Sequence, residues 1–332
     1  MGGEEKLNRD ATDSVIEGNE KTPKKKKPKR MPYKMLIKEE LYKFFTGTVS
    51  PRTRARVRYF LDINRERMLK TLRLKPFLRY VEVHLVDHCN LNCRGCSHFS
   101  PIAGEWFADV NQYEKDMRRL TELFRNVNTV RLMGGEPLLH PQIESFVALT
   151  KRYFPKADVR VVTNGILLPA MQDLFWEMCR SNSVILDVTV YPPLKGKEQF
   201  FRNLANSKSV KTDFHSVSAF SALYNDKGDS DVKRSFLRCR SWQYCPNLRE
   251  GRLYVCPVPA YVHYFNETFG SHVPEDGWLD IHAQSLSGWD VLALLDKATS
   301  ACRYCMFGWK PIRTFPWSHS TRSVKDWQAT VK

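Results

Sequence analysis

The segment Cys89-Asn-Leu-Asn-Cys93-Arg-Gly-Cys96 follows the apolar run Val81-Glu-Val-His-Leu-Val86. A short apolar run rich in valine predicts a buried strand, so the three cysteines leave its carboxyl end in one loop. Spacings of four and three residues do not suit a regular set of disulfides, but such thiolates can converge on an iron–sulfur cluster. A tetrahedral zinc ion needs a fourth Cys or His nearby, and His88 and His98 keep that alternative open.

The composition indicates a soluble protein with a sizeable core. Its 332 residues, 42% of them hydrophobic, suffice for one large domain or two ordinary ones. No apolar stretch approaches the roughly 20 residues of a membrane helix, and the polar N-terminus does not resemble a secretory signal. Nine cysteines, many at short spacing, suit metal ligation in a reducing compartment better than disulfides. We expect a cytoplasmic location.

The formal charge of +16 includes a basic N-terminal segment. Residues 1–34 are poor in apolar side chains and are predicted to form a disordered basic tail. Helical periodicity at Met35–Phe45 and Arg52–Leu72 predicts an N-terminal helical extension over residues 35–77. A basic balance favours anionic partners, although simple surface solvation explains it equally well.

Beyond the first strand, segments of strand length alternate with segments of helical periodicity. Further strands are expected at 129–133, 159–162, 184–190 and 210–217. Asn111-Gln-Tyr-Glu114 has the pattern of a capping box that opens the first intervening helix. Such alternation predicts an α/β fold whose parallel sheet closes fully or partly into a barrel, over about residues 78–235.

Three polar loops leave the first three predicted strands at their carboxyl ends. They are the cysteine loop, Gly134-Gly135-Glu136-Pro137 and Thr163-Asn164-Gly165. In a parallel barrel these ends form a single rim, where the chemistry takes place. Tight turns would explain each glycine segment alone. Their shared placement instead predicts that the three loops build one site.

The CxxxCxxC spacing of Cys89, Cys93 and Cys96, with the Gly-Gly-Glu-Pro segment downstream, resembles the radical S-adenosylmethionine (SAM) superfamily. The resemblance implies a partial (β/α)6 TIM-like barrel and a [4Fe–4S] cluster on the three cysteines, with one iron open to chelation by SAM. It further implies a reducing partner such as flavodoxin or ferredoxin. One electron then cleaves SAM to a 5′-deoxyadenosyl radical that abstracts a substrate hydrogen atom.

The same resemblance suggests which residues contact SAM. Gly134, Gly135, Glu136 and Pro137 would hold the amino group of its methionine moiety, with Asn164 nearby. Many relatives carry an aromatic residue immediately before the third cysteine, where this chain has Gly95, so Phe99, His98 or another residue would have to supply a wall for the adenine.

Strand four adds two further candidate residues. Asp187 and Thr189 alternate with apolar residues on this predicted strand, which suggests ribose or substrate contacts. An interior hydrogen bond explains the two polar side chains equally well.

Five further cysteines follow the barrel. Cys239, Gly251 and Cys256 fit the Cx9–15Gx4C opening of SPASM and twitch extensions, and a β-hairpin is expected over 244–258. With the Cys302–Cys305 pair, the resemblance implies a twitch-like domain at 236–310 that binds an auxiliary [4Fe–4S] cluster. Cys245 could replace Cys239 as a ligand or be free, and a structural zinc ribbon is the alternative.

Cys179, the C-terminal tail and the expected reaction complete the sequence-based predictions. Cys179 is expected to be a buried core thiol, and residues 311–332 form an aromatic and basic tail. We expect oxidation or epimerisation of a sugar, cyclitol or nucleotide-linked sugar, with peptide maturation as the alternative within the superfamily. A zinc-ribbon protein that binds nucleic acid is the alternative from another class, although nucleic acid is the less favoured partner.

Overall fold

The computed structural model describes residues 60–61, 64–222, 224–242, 244–308 and 314–328. Backbone contacts divide the chain into Met1–Asn64 and Arg65–Lys332, and the second unit is described below. The predicted basic tail and the helix Met35–Phe45 lie outside the described residues. Of the predicted second helix, residues 64–71 are helical.

Twelve strands occur in the described part of the chain. They are β1 (Phe77–Leu78), β2 (Val81–Val86), β3 (Asn126–Val127), β4 (Thr129–Gly134), β5 (Asp158–Thr163), β6 (Ile185–Val190), β7 (Lys211–Ser216), β8 (Ala219–Ser221), β9 (Asn247–Arg249), β10 (Arg252–Tyr254), β11 (Trp278–Asp280) and β12 (Thr314–Pro316). The main α-helices of this part are α1 (Val110–Leu123), α2 (Ile143–Tyr153), α3 (Asp173–Ser181), α4 (Glu198–Ser207), α5 (Val232–Trp242), α6 (Pro257–Phe269) and α7 (Gly288–Leu295).

One open eight-stranded sheet organises the fold, in the order β11-β10-β9-β2-β4-β5-β6-β7. Strands β2, β4, β5, β6 and β7 are mutually parallel, with helices between them, as predicted. The α/β partial-barrel prediction is therefore confirmed. A sixth parallel strand, β9, pairs with β2 on the other side, rather than following β7.

The two faces of the sheet differ in polarity because successive side chains in a strand point in opposite directions. One set, with Val83, Val130, Leu132 and Val161, belongs to the main hydrophobic core. Helices α1, α2 and α3 contribute to the same core, and their buried side chains include Met117, Leu120, Phe146 and Phe175. Among the described helices, none is long and apolar enough to cross a membrane.

The predicted β-hairpin forms from β9 and β10 and extends the main sheet. Its two-residue turn has Glu250 at φ 47° and Gly251 at φ 76°. Positive φ at both central residues is the type I′ turn, whose twist matches that of the strands, and glycine favours it. Because β9 is parallel to β2 and β10 returns antiparallel to it, Cys245 and Cys256 lie toward the amino end of β2, whereas the cysteine loop leaves its carboxyl end.

Candidate functional site

The cysteine loop leaves β2 and brings three thiols to the carboxyl ends of the parallel strands. The hydroxyl of Tyr191, at the end of β6, lies within electrostatic range of Cys89, Cys93, Cys96 and Glu136. Burial and then these four groups raise the pKa of Tyr191. The three thiols and Glu136 are therefore near neighbours of this phenol.

The thiols are partly shielded from water. Burial raises the pKa of Cys89 well above its usual range, and the charge of Glu136 adds to the effect. Burial also raises the pKa of Cys93 to about 12, although a hydrogen bond from Trp317 opposes the shift. Iron bound to such thiols supplies the positive charge that replaces their protons, so the donor set fits an iron–sulfur cluster.

The two histidines near the cysteine loop pack against other rings. In the part of the chain that the structure describes, no three His, Cys, Asp or Glu side chains are close enough to chelate one ion. His98 packs edge-on against His84, with ring centroids 4.6 Å apart, and His88 packs in the same way against Phe107 at 5.1 Å. Both histidines that sequence reasoning considered for zinc are therefore packed against other rings.

Gly134 and Gly135 allow the loop after β4 to lie against the chain that leads into the cysteine loop. A Cβ atom on Gly135 would lie 2.0 Å from the His88 carbonyl oxygen, and one on Gly134 would lie 2.1 Å from that of Val86. The Gly135 amide donates to Val86 O at 2.7 Å, and the Glu136 amide donates to His88 O at 3.2 Å. Only glycine permits this approach without displacing backbone.

Glu136 is fully buried and joins the ends of β4 and β5. Its carboxylate accepts hydrogen bonds from Thr163 Oγ1 at 2.6 Å, Asn164 N at 2.9 Å and Leu138 N at 3.1 Å. Burial raises the pKa of Glu136 to about 7 against the opposing effect of these bonds. The following Pro137 is buried at the start of the short 3-10 helix Pro137–Leu139.

Asn164 continues this chain of contacts to the cysteines. Its side-chain amide donates to Asn90 Oδ1 at 2.7 Å and approaches Cys89 Sγ at 3.8 Å. The side-chain oxygen of Asn164, Oδ1, accepts a hydrogen bond from Ile166 N at 2.9 Å. The structure therefore brings Gly134, Gly135, Glu136, Pro137, Asn164 and the three cysteines together at one rim.

Asp87 links this rim to the hairpin and was missed by the sequence reasoning. Its carboxylate accepts from Arg249 Nη1 and from the Tyr264 hydroxyl, both at 2.7 Å, and lies 3.4 Å from His84 Nδ1. Burial alone would raise its pKa, but the His84 contact and the Arg249 charge outweigh burial and lower the pKa of Asp87 to about 2. The sequence offers no local signal for a partner 162 residues away.

Asp187 belongs to a charged layer on the face of the sheet opposite the core. Its carboxylate lies 2.7 Å from Arg131 Nη2, 3.7 Å from Arg160 Nη1 and 3.0 Å from His215 Nε2. Thr189 follows on the same strand and pairs in register with His215. One sequence pattern could have predicted this charged layer: each of the strands β4, β5, β6 and β7 has a charged residue at its third position.

A C-terminal strap, defined as residues 314–328, packs onto the cysteine loop. The Arg94 amide donates to Ser318 O and the Ser320 amide donates to Asn92 O, both at 2.9 Å. The Trp317 indole N–H donates to Cys93 Sγ at 3.1 Å. The Trp327 indole N–H donates to the Cys96 carbonyl oxygen at 2.8 Å.

The strap also fills the space beside Gly95. The Phe315 ring carbon Cζ lies 2.4 Å from the position that a Gly95 Cβ would take. Phe315 stacks on Phe220, which stacks on Tyr191, with ring centroids 6.5 Å and 6.1 Å apart. The aromatic side chain beside the third cysteine thus comes from the far end of the chain, whereas Phe99 is buried against Phe265.

The C-terminal cysteines form a second group. A largely apolar cavity of about 170 Å³ is lined by Cys239, Cys245, Cys256, Cys302 and Cys305. Burial and then the neighbouring Cys302 raise the pKa of Cys239 to about 11, and burial raises that of Cys305 to about 12. Cys245 therefore joins the four cysteines of the predicted set. Cys179 lies apart, fully buried on α3.

Comparisons with known proteins find one family match, several partial relatives and several similar structures. Residues 83–209 match the radical SAM superfamily. GTP 3′,8-cyclases of Nautilia profundicola and Campylobacter fetus subsp. fetus are 33% identical over 91 and 90 residues, 27% of this chain and 28% of theirs. The chain thus matches less than a third of these relatives' length. The structure of BtrN in complex with AdoMet and 2-DOIA is 16% identical, with a TM-score of 0.45, covering 70% of this chain and 94% of that one.

Proposed function

We propose that the chain is a radical SAM enzyme, because residues 83–209 match that superfamily, and that Cys89, Cys93 and Cys96 hold its [4Fe–4S] cluster. When bound, the cluster supplies the electron that cleaves SAM to methionine and a 5′-deoxyadenosyl radical, which takes a hydrogen atom from the substrate. The observation that carries the proposal is that the loops after β4 and β5 meet the cysteine loop: the Glu136 amide donates to His88 O, and Asn164 Nδ2 donates to Asn90 Oδ1 and lies 3.8 Å from Cys89 Sγ.

The residues around the cysteines would bind and orient SAM. The Gly134–Gly135 backbone is fixed against Val86 and would present its free polar groups to the methionine amino group. Glu136 and Asn164 hold this backbone and the cysteine loop in register. Phe315 and Tyr191, which each stack on Phe220, would supply aromatic surface for the adenine.

We further propose that the C-terminal cysteines bind an auxiliary [4Fe–4S] cluster. Cys239, Cys256, Cys302 and Cys305 are the four expected ligands, and they line one cavity with Cys245. Four thiolates complete the coordination of such a cluster. Anaerobically purified protein should then be brown and hold about eight irons, whereas colourless protein with stoichiometric zinc would support a zinc ribbon.

The proposed substrate is a polar small molecule, such as a sugar, cyclitol or nucleotide-linked sugar. On the sheet face opposite the main core, the buried atoms His84 Nε2 and Arg131 Nε have no hydrogen-bond partner among the described residues. Buried polar groups normally find a partner in protein, water or ligand. Hydroxyl groups of a substrate can satisfy these donors and acceptors, and the reaction would be an oxidation or epimerisation.

A free nucleotide is the second candidate substrate, because the matched relatives are named GTP 3′,8-cyclase. Deuterated sugars, cyclitols and nucleotides, with GTP among them, would be screened for deuterium transfer into 5′-deoxyadenosine. Transfer from one class identifies the substrate class. Transfer only from a peptide would overturn the small-molecule proposal.

The proposed activity is tested by anaerobic incubation of reduced protein with SAM and measurement of 5′-deoxyadenosine. The Cys89→Ala/Cys93→Ala/Cys96→Ala variant should produce none. Cys179→Ala is the matched control, since this buried thiol lies on α3, and its activity should persist. Continued production by the triple variant would refute the site assignment.

A further inference from the structure

Trp317 is held against Cys93 by backbone hydrogen bonds at the residues on both sides of Cys93, namely Asn92 and Arg94. The amides of Arg94 and Ser320 each make a cross-chain hydrogen bond of 2.9 Å between the C-terminal strap and the cysteine loop, and His319 forms an antiparallel bridge with Cys93. The Trp317 indole therefore meets Cys93 Sγ at 3.1 Å through the register of two chain segments.

We infer that Trp317 is a positioning residue that raises the reduction potential of the SAM-binding cluster through its N–H···S hydrogen bond to Cys93. The inference rests on the proposed function, in which Cys93 is a cluster ligand. Reduction adds negative charge to a cluster and its thiolates, and a hydrogen-bond donor to sulfur stabilises that charge. Cys93 is only 6% exposed, so little water competes with the indole.

The chain provides a matched comparison in Trp327. Its indole N–H donates to the carbonyl oxygen of Cys96 at 2.8 Å, so it contacts the same loop without bonding a sulfur. Trp327 is also buried, at 4% exposure, and packs against Phe99 and Phe265. Replacing either tryptophan by phenylalanine removes one N–H and keeps an aromatic ring. Only the change at Trp317 removes an N–H···S bond.

The test is an anaerobic redox titration of the full chain, followed by electron paramagnetic resonance. The SAM-binding cluster is identified as the signal that changes when SAM is added. At the wild-type midpoint potential, Trp317→Phe should lower the ratio of reduced to oxidised cluster about tenfold, the size expected of a hydrogen bond to a charged group. Trp327→Phe should leave the ratio unchanged.

Two outcomes would overturn the role of Trp317: an unchanged midpoint in Trp317→Phe, or equal shifts in both variants, which would indicate general packing. A wild-type protein without any SAM-sensitive signal would instead refute the proposed function.

A second measurement tests the inference on the wild-type protein, in case the Trp317→Phe variant does not assemble its cluster. Wild-type protein labelled with indole ¹⁵N should show a nitrogen hyperfine coupling to the reduced cluster. The absence of that coupling also overturns the inference.

Discussion

The cysteine loop and the C-terminal cysteine group surround their thiols differently. In the loop, Cys89 Sγ accepts from Leu91 N at 3.4 Å, and Cys93 Sγ accepts from Trp317 at 3.1 Å. The C-terminal thiols line a largely apolar cavity together with Val255, Val262 and Phe307, and one side-chain polar contact, Thr299 Oγ1, lies 3.7 Å from Cys302 Sγ. One set spans eight residues of a single loop, and the other is gathered from 239 to 305.

The difference matches the two roles proposed for these regions. A cluster with an open iron must admit a polar ligand, and donors around its sulfurs stabilise added charge. A cluster with four protein ligands needs no opening, and apolar walls limit its contact with water. Asp87, bonded to Arg249 and Tyr264, joins the two regions, and Ser97 and Phe99 of the cysteine loop also line the second cavity.

Gly135→Ala should have the largest effect on activity. It would damage the first region, the cysteine loop and its rim, and leave the second region, the C-terminal cysteine group, intact. The new Cβ would lie 2.0 Å from the backbone oxygen of His88, so the loop must move. A displacement of about 1 Å can cost roughly 100-fold in rate, and we expect at least that loss of 5′-deoxyadenosine formation. Gly104→Ala is the matched control, because nothing lies within 4 Å of its Cβ position. Equal rates in the two variants would contradict the close-approach account.

Cys256→Ala should damage the second region and spare the first. Cys256 lies at the start of α6 and lines the cysteine cavity. We expect iron content to fall from about eight to about four per chain while the SAM-sensitive signal persists. Cys179→Ala should keep all the iron. Loss of the SAM-sensitive signal in Cys256→Ala would show that the two regions do not bind clusters independently.

Glu136→Gln should destabilise the rim by about 1–3 kcal/mol near neutral pH, because an amide group would face the Asn164 or Leu138 donors.

The folded-state pKa of Glu136 is raised from 4.5 to about 7, so the folded protein binds the proton more tightly. Wild-type stability should therefore fall as pH rises from 4.5 to 7, and this contribution is absent in the variant. Thermal unfolding across this range measures it, with Glu122→Gln, which is 55% exposed, as control. Identical pH slopes in wild type and Glu136→Gln would contradict the assignment.

Asp296→Asn should have the smallest effect. Its carboxylate lies 2.9 Å from Arg240 Nη2 at the edge of the second region, but the side chain is 80% exposed. Such surface pairs contribute less than about 1 kcal/mol, and salt screens them further. Chemical unfolding should show a small loss that disappears at high salt. A larger loss would mean that ion pairs, rather than the cysteines and their apolar surroundings, stabilise this region.

Local patterns in the sequence predicted the main elements well. The valine-rich segments at β2, β4, β5 and β6 form strands where expected, because burial between helices demands apolar runs. The first helix begins two residues earlier than the capping-box pattern predicted. Its N-cap is Asp109, which accepts from Gln112 N at 2.7 Å, so the capping box proposed at Asn111 is wrong.

Contacts distant in sequence could not be predicted from local patterns. The pairing of β9 with β2 joins residues more than 160 positions apart, and nothing near either strand specifies it. The same holds for the C-terminal strap, where Phe315 fills the space left by Gly95. In the sequence, Gly95 shows that the usual aromatic residue before the third cysteine is missing. Only the fold shows that Phe315 occupies that space instead.

The central claim is that Cys89, Cys93 and Cys96 bind the cluster that meets SAM, while the C-terminal cysteines do not. Electron paramagnetic resonance of the reduced Cys89→Ala/Cys93→Ala/Cys96→Ala protein, with and without SAM, tests it most directly. We predict a remaining cluster signal that SAM leaves unchanged, beside a wild-type spectrum that SAM alters. A SAM-dependent change in the triple variant would contradict the account.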